Sequence, residues 1–354
     1  MGLGGHALHL LERFPALRLV GIDRDGEALA IARERLAPFK GRVTLLEGEN
    51  ASLSELLDEA GVGQVSGLFA DLGVSSLQLD RAERGFSFQR EGTLDMRMGA
   101  GGLTARDIVN GYPEATLERI FREYGEEEEA RRVARALIRE RSQVTIETTQ
   151  QLRDVVRRAK RGGRDHAKRQ IDPATKVFQA LRIEVNQELE QLDTVVRQGL
   201  KRLESAGRLV VISYHSLEDR IVKNILREAA RGDIDPVTGW SRSETQVLEV
   251  LTKKPVRPQE SEVARNPRAA GQELPAGARA RPPPPARAAA VRLRGAAGRD
   301  RAARLHLGAD RDRPHRLPRA RARAPARADG EDRAPVGARG VLAREPGARR
   351  GGGG

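Results

Sequence analysis

The chain has 354 residues, enough for one large domain or two ordinary ones with a real core. It has no cysteine, which excludes disulfides and cysteine-ligated metals, and it has no run of about 18 apolar residues to span a membrane. The net charge of +13 is unevenly placed, because residues 269–354 hold 20 Arg against 8 acidic residues and leave the first 268 nearly neutral. A nucleic-acid surface in the folded part must therefore come from local clusters. The opening Met1-Gly2-Leu3-Gly4-Gly5-His6 lacks the basic-then-apolar layout of a signal peptide, so a soluble cytoplasmic protein is expected.

In chain order, Gly2 to Gly5 is a glycine turn and His6 to Phe14 a predicted helix. Leu17 to Ile22 reads as a short strand ending at Asp23. Glu27 to Leu36 reads as a helix, Val43 to Leu46 as a strand, Leu53 to Ala60 as a helix, and Val65 to Phe69 as a strand closed by Ala70-Asp71. This alternation predicts an α/β fold, a mostly parallel Rossmann-like sheet with helices on both faces. Ligands of such sheets bind at the carboxyl ends of the strands, where Gly2 to Gly5, Asp23, Asn50 and Asp71 all fall.

From about Thr104 to Arg169 the pattern becomes helical and highly charged, with helices over Ala115 to Tyr124, Glu126 to Glu140 and Thr148 to Lys160. No strand interrupts them, which predicts an all-helical module inserted into the sheet domain. Pro173 to Leu203 then reads as one long amphipathic helix with Val177, Leu181, Val185, Leu189 and Leu192 on one face. Arg208 to Ser213 returns to the sheet, followed by a helix over Leu217 to Ala230 and a late strand near Val247 to Leu251. The expected division is residues 1–103 and 173–268 for the sheet domain, 104–172 for the helical module, and 269–354 for a low-complexity tail. That tail lacks Lys, Ile, Phe, Tyr, Trp, Ser, Thr, Asn and Met, and such a composition cannot bury enough apolar surface to order itself. It reads either as a disordered basic arm for RNA phosphates or as GC-rich codons in the wrong frame, and the lack of Lys and Ser favours the second.

Several residues could carry chemistry. A glycine turn that opens a helix lets backbone N–H groups approach a ligand. Asp23, at the end of the next strand, stands where an acidic residue accepts ribose hydroxyls; in Asp23-Arg24-Asp25-Gly26 it could equally cap the following helix. Ala70-Asp71-Leu72-Gly73-Val74-Ser75-Ser76-Leu77-Gln78 places an acid, a glycine and two hydroxyls at a strand end, as a site or as a capped polar loop. Arg84-Gly85-Phe86-Ser87-Phe88 and Leu94-Asp95-Met96-Arg97-Met98 combine aromatics with arginines, either to clamp a nucleotide or as a small satellite core. His215, in Tyr214-His215-Ser216-Leu217-Glu218, could exchange protons near neutral pH or simply orient its loop. The basic run Lys160 to Arg169 is the best local phosphate-binding candidate.

Together the strings GLGGH, GIDRD, DLGVSSLQLD, RGFSF, LDMRM, YGEE, PATKVFQALRIEVNQELEQL, AGRLVVISYHSLEDRIVK and EVARNPR, in order from residue 2 to residue 268, resemble the bacterial ribosomal RNA small-subunit methyltransferase H proteins, also called MraW. The resemblance implies a class I methyltransferase fold that uses S-adenosyl-L-methionine to methylate the N4 amine of a cytidine in 16S ribosomal RNA. The partner implied is that RNA within the small ribosomal subunit, with no membrane involved. Carried over by position, the cofactor contacts fall on Gly4, Gly5, His6, Asp23, Asn50, Asp71 and Gln78. Asp71 and Gln78 would lie near the methionine end and the target base; Asp71 or a nearby backbone carbonyl is the expected acceptor from the amine, with Ser75 and Ser76 helping to seat the base. No metal is implied. Relatives often carry a larger apolar residue where this chain has Asn50. They also begin with a strand that leads into the glycine turn and continue past EVARNPR differently from this chain. A second class of reading is a non-catalytic RNA-binding protein on the same fold, or an inactive truncated member, with the basic tail as the main RNA contact.

Overall fold

The computed structural model describes residues 1–160, 172–231, 248–252, 256, 260 and 264, and the backbone of 287–293. The chain opens with α1 (Gly5–Arg13), β1 (Leu19–Asp23), α2 (Gly26–Arg35), β2 (Val43–Glu47), α3 (Leu53–Glu59) and β3 (Val65–Asp71). Helices then follow without an intervening strand: α4 (Ser76–Asp80), α5 (Ala105–Gly111), α6 (Glu114–Glu123), α7 (Ala130–Arg141), α8 (Thr149–Lys160), α9 (Thr175–Asn186) and α10 (Glu188–Arg202). The chain re-enters the sheet with β4 (Leu203–Ser213), followed by α11 (Ser216–Arg231), β5 (Leu248–Val250) and β6 (Arg287–Leu293).

The expected α/β architecture with an inserted run of helices is present. β1 and β2 form a parallel pair in register from Leu19↔Val43 to Asp23↔Glu47. β3 and β4 are also parallel, with Asp71 opposite Ile212, and they belong to a four-stranded sheet ordered β3-β4-β6-β5. β6 runs antiparallel to β4, from Arg208↔Arg292 to Ser213↔Arg287, and to β5. These seven residues fall inside the tail that was expected to lack structure, so that expectation fails there. Antiparallel pairing is made by backbone groups, and a composition poor in large side chains does not prevent it. The remainder of 269–354 lies outside the described residues, as does the basic run beyond Lys160.

Two cores account for most of the burial. Around β3 and β4, Leu53 and Leu57 of α3, Leu192 and Val196 of α10, Leu209 and Val211 of β4, and Val222 and Ile225 of α11 pack together. The second core is helical: Leu117, Ile120 and Phe121 of α6 meet Val133 and Leu137 of α7, Leu152 and Val156 of α8, and Val177 and Leu181 of α9. It also takes in Phe86, Leu94 and Met96, and so draws on residues on both sides of 104–172.

The single long helix expected over Pro173 to Leu203 is two helices. Gln187 sits between them in the left-handed region (φ 51°, ψ 37°). The break falls where the chain leaves the helical core for the sheet core. It is held by Arg182, whose guanidinium donates to both oxygens of Glu188 at 2.7 and 2.8 Å. Asn186 adds a clasp to the other segment, donating to the Met96 carbonyl and accepting from the Met98 N–H, each at 2.8 Å.

Candidate functional site

The glycine turn lies between two carboxylates at strand ends. On one side the Gly2 N–H donates to Asp23 Oδ2 at 2.6 Å, and the Met1 amine lies 3.3 Å from the same oxygen. Asp23 Oδ1 accepts from the Asp25 N–H at 3.0 Å. The capping role is separate: Asp25 accepts from the Glu27 and Ala28 N–H groups and caps α2. Of the two acids in this motif, Asp25 therefore builds the helix and Asp23 holds the turn. Gly4 adopts a φ of 78°, and a Cβ there would come 3.4 Å from the Ala32 Cβ, so glycine serves both backbone shape and close packing.

On the other side of the turn stands Asp71, the last residue of β3. His6 Nδ1 lies 3.3 Å from Asp71 Oδ2, and the His6 ring lies 5.0 Å from that of Phe69, two residues earlier on the same strand. The hydrogen bond and charge of Asp71 raise the His6 pKa against the opposing effect of burial. The second carboxylate oxygen, Oδ1, accepts from the Tyr214 hydroxyl at 3.0 Å. Burial and the adjacent Asp71 charge together push the Tyr214 pKa up. Gly4, Gly5, His6, Asp23 and Asp71 thus gather around one turn.

The other residues expected at the site are placed differently. Ser75 is the N-cap of α4 and forms a capping box with Gln78: Ser75 Oγ accepts from the Gln78 N–H, and Gln78 Oε1 accepts from the Ser75 N–H at 2.9 Å. The Gln78 amide, buried, donates to Asp25 Oδ2 at 2.7 Å and ties the loop after β3 to the start of α2. Ser76 is half-buried as the first residue of α4, and Asn50 is exposed in the turn after β2.

Asp25 is the hub that sequence reasoning missed. Besides its cap and Gln78, it receives Arg84 Nη2 at 2.8 Å, and the same nitrogen reaches the Arg97 and Met98 carbonyls. Burial raises the Asp25 pKa, but hydrogen bonds from Arg84 and Gln78 outweigh it and hold the carboxyl below its usual range. Arg97 in turn forks onto both oxygens of Asp95 at 2.8 Å. These groups border a cavity of about 370 Å³ together with Arg24, Glu47 and Gly99. The aromatics of this stretch are not a nucleotide clamp. Phe86, Leu94 and Met96 are buried in the helical core, and Phe88 packs edge-on against Phe178 with its centroid at 4.7 Å. They belong to the main helical core shared with α6 to α9 rather than to a small satellite core.

The loop after β4 is held from beneath by Glu218, which accepts from the N–H groups of Tyr214 at 2.7 Å and His215 at 3.3 Å. Burial pushes the Glu218 pKa up to about 7, and burial with the nearby Arg182 charge pulls that of His215 down to about 3. His215 is therefore a neutral, enclosed imidazole at neutral pH, and the loop-orienting role fits it better than proton exchange. Glu188, His215 and Glu218 bring ligand-type atoms within 4.8 Å of one another, but Arg182 already supplies the cation of this cluster by pairing with Glu188.

Comparison with known proteins gives this arrangement its context. The family model described as the MraW methylase family matches residues 1–277. The chain belongs to that family. Among curated relatives, the protein named ribosomal RNA small subunit methyltransferase H from Thermobifida fusca is 47% identical over 291 residues, covering 80% of this chain and 86% of the relative. Its namesake in Pelobacter propionicus is 48% identical over 283 residues, covering 77% of this chain and 88% of the relative. The solved structure of a putative methyltransferase from Streptococcus mutans in complex with SAH aligns over 83% of this chain and 84% of that chain, at 11% identity and a TM-score of 0.34, a likeness too loose to carry a functional argument. No helix among the described residues is long and apolar enough to cross a membrane.

Proposed function

We propose that this MraW-family protein transfers a methyl group from S-adenosyl-L-methionine to the N4 amine of a cytidine in 16S ribosomal RNA, within the small ribosomal subunit. The observation that carries the reading is a glycine turn set between the strand-end carboxylates Asp23 and Asp71, in a chain whose relatives at 47% and 48% identity are named for small-subunit ribosomal RNA methylation.

The donor set suits the cofactor. Asp23 retains free lone pairs for ribose hydroxyls after binding the turn. A Cβ on Gly2 would meet nothing within 4 Å, so open space adjoins the turn there. Gly4 and Gly5 would line the turn and His6 its Asp71 side, with Asn50 towards the base. Gln78 would act from behind, through Asp25 and Ser75, to hold the loop in place. S-adenosyl-L-methionine supplies a methyl group on a sulfonium, which leaves to an amine without metal or redox assistance.

The chemical difficulty lies with the acceptor, because the N4 lone pair of cytosine is delocalised into the ring. Asp71, by accepting from an N4 hydrogen, would raise electron density on the nitrogen and keep it in line with the methyl; as the N–C bond forms the S–C bond breaks, S-adenosylhomocysteine leaves, and the N4 proton is lost to the carboxylate and on to water. Both of its oxygens already hold a donor, Tyr214 on one and His6 on the other, and a carboxylate has lone pairs left for a third. Ser76 and the Ser75 loop would seat the base. The sheet domain, 1–103 and 173–268, would carry the reaction, and the helical module at 104–172 would help to recognise the RNA. Incubation with radiolabelled S-adenosyl-L-methionine and unmodified small subunits tests the reaction: label in 16S ribosomal RNA is expected. Cofactor binding without transfer to RNA would contradict the substrate.

A further inference from the structure

We propose that Tyr214 is a positioning residue for methyl transfer, fixing the direction of the Asp71 carboxylate through its hydroxyl. The inference rests on the methyltransferase reading above and assigns a role to a residue that lies 143 positions away from Asp71 along the chain.

Three observations place Tyr214 in this role. First, its hydroxyl donates to Asp71 Oδ1 at 3.0 Å, while the other carboxylate oxygen faces His6 at 3.3 Å. A carboxylate gripped at both oxygens cannot rotate freely about its last bond, so its remaining lone pairs keep one direction. Second, the backbone that carries the ring is itself pinned. β4 pairs with β3 so that Asp71 lies opposite Ile212, and the buried Glu218 at the start of α11 accepts from the Tyr214 N–H at 2.7 Å. Third, the ring rests on the loop after β3 at Gly73. That residue has a φ of 84°, and a Cβ there would lie 3.4 Å from the ring Cδ2. Tyr214 nonetheless remains 37% exposed, so the grip sits at the open face of the site rather than within the core.

A group of this kind acts on the rate of the transfer step rather than on cofactor affinity. Among the described residues its hydroxyl bonds to the proposed acceptor, and Asp23 lies across the glycine turn from it.

The test is a double-mutant cycle on the full-length chain with Tyr214→Phe, Asp71→Asn and the pair. Tyr214→Phe keeps the ring on Gly73 and removes only the hydroxyl. It should lower kcat on the order of 10-fold, with the KM for S-adenosyl-L-methionine, S-adenosylhomocysteine binding by calorimetry and the melting temperature unchanged. In the Asp71→Asn background, followed by single-turnover label transfer, the same change should have little further effect. An equal loss in both backgrounds would show that Tyr214 acts independently of Asp71 and would overturn the proposal. An unaltered kcat in the single variant would do the same. If the unsubstituted chain binds cofactor yet methylates no RNA, the methyltransferase reading itself falls, and the role of Tyr214 falls with it.

Discussion

Replacing Asp25 with Ala should loosen the whole mouth of the site, because that one buried carboxylate joins three segments. It caps α2 through the Glu27 and Ala28 N–H groups, accepts from Gln78 of α4, and pairs with Arg84 at 2.8 Å. Loss of a helix cap costs about 1 kcal/mol and loss of a neutral hydrogen bond about the same. The charged pair weighs more, since Arg84 is only 20% exposed and would keep two carbonyl partners and a longer contact, 3.5 Å, to the Glu27 carboxylate. Removing one member of a largely buried pair puts the total at roughly 3 to 5 kcal/mol. Asp25→Asn, which retains shape and an acceptor, should lose about half as much. Urea titration followed by circular dichroism measures both. The sign with pH follows from the lowered pKa of Asp25: its stabilisation is present above the ordinary carboxyl value, about pH 4, and fades as pH falls through the folded value. The gap between wild type and Asp25→Ala should therefore narrow in acid. A loss below about 1 kcal/mol at neutral pH, or a gap that widens in acid, would refute this account of the hub.

Asp71→Ala should reduce kcat by about 100-fold or more; normal turnover would exclude Asp71 as the acceptor. Lys160→Met leaves Glu127 buried without its partner at 2.6 Å and should destabilise the helical module by roughly 3 to 5 kcal/mol, and a second change, Glu127→Gln, should recover part of that in urea melts. A chain ending at residue 293 should retain turnover and RNA affinity, whereas one ending at 268 should melt earlier because β4 loses its β6 partner. If the basic tail were the main RNA contact, the chain ending at 293 would instead lose most of its salt-sensitive RNA binding.

The sheet elements were legible because their signals are local. Val43 to Leu46 and Leu53 to Ala60 agree with β2 and α3 to within one residue, since short apolar runs bounded by turn residues leave little choice. The break at Gln187 was not legible. The stripe Val177, Leu181, Val185, Leu189 and Leu192 continues through it in helical phase, and only the passage from one core to the other forces the left-handed residue. Phe86 and Phe88 were ambiguous for a related reason: their covering residues, such as Phe178, lie some ninety positions later. In the candidate site, the placement of Asp23 and Asp71 at strand ends was legible in the sequence, whereas His6 came from the family resemblance alone. Asp25 and Tyr214 were not legible, because their roles come from Arg84, Gln78 and Asp71, contacts that span 53 to 143 positions. The one available signal was their place, each one or two residues past a strand end.

The most direct test is mass analysis of nucleosides from 16S ribosomal RNA after incubation of unmodified small subunits with this chain and S-adenosyl-L-methionine. A single new nucleoside, N4-methylcytidine, is expected, and it should be absent when Asp71→Ala replaces the wild type. Methylation at a ring carbon, a ribose hydroxyl or another base, with the N4 amine untouched, would contradict the proposed reaction.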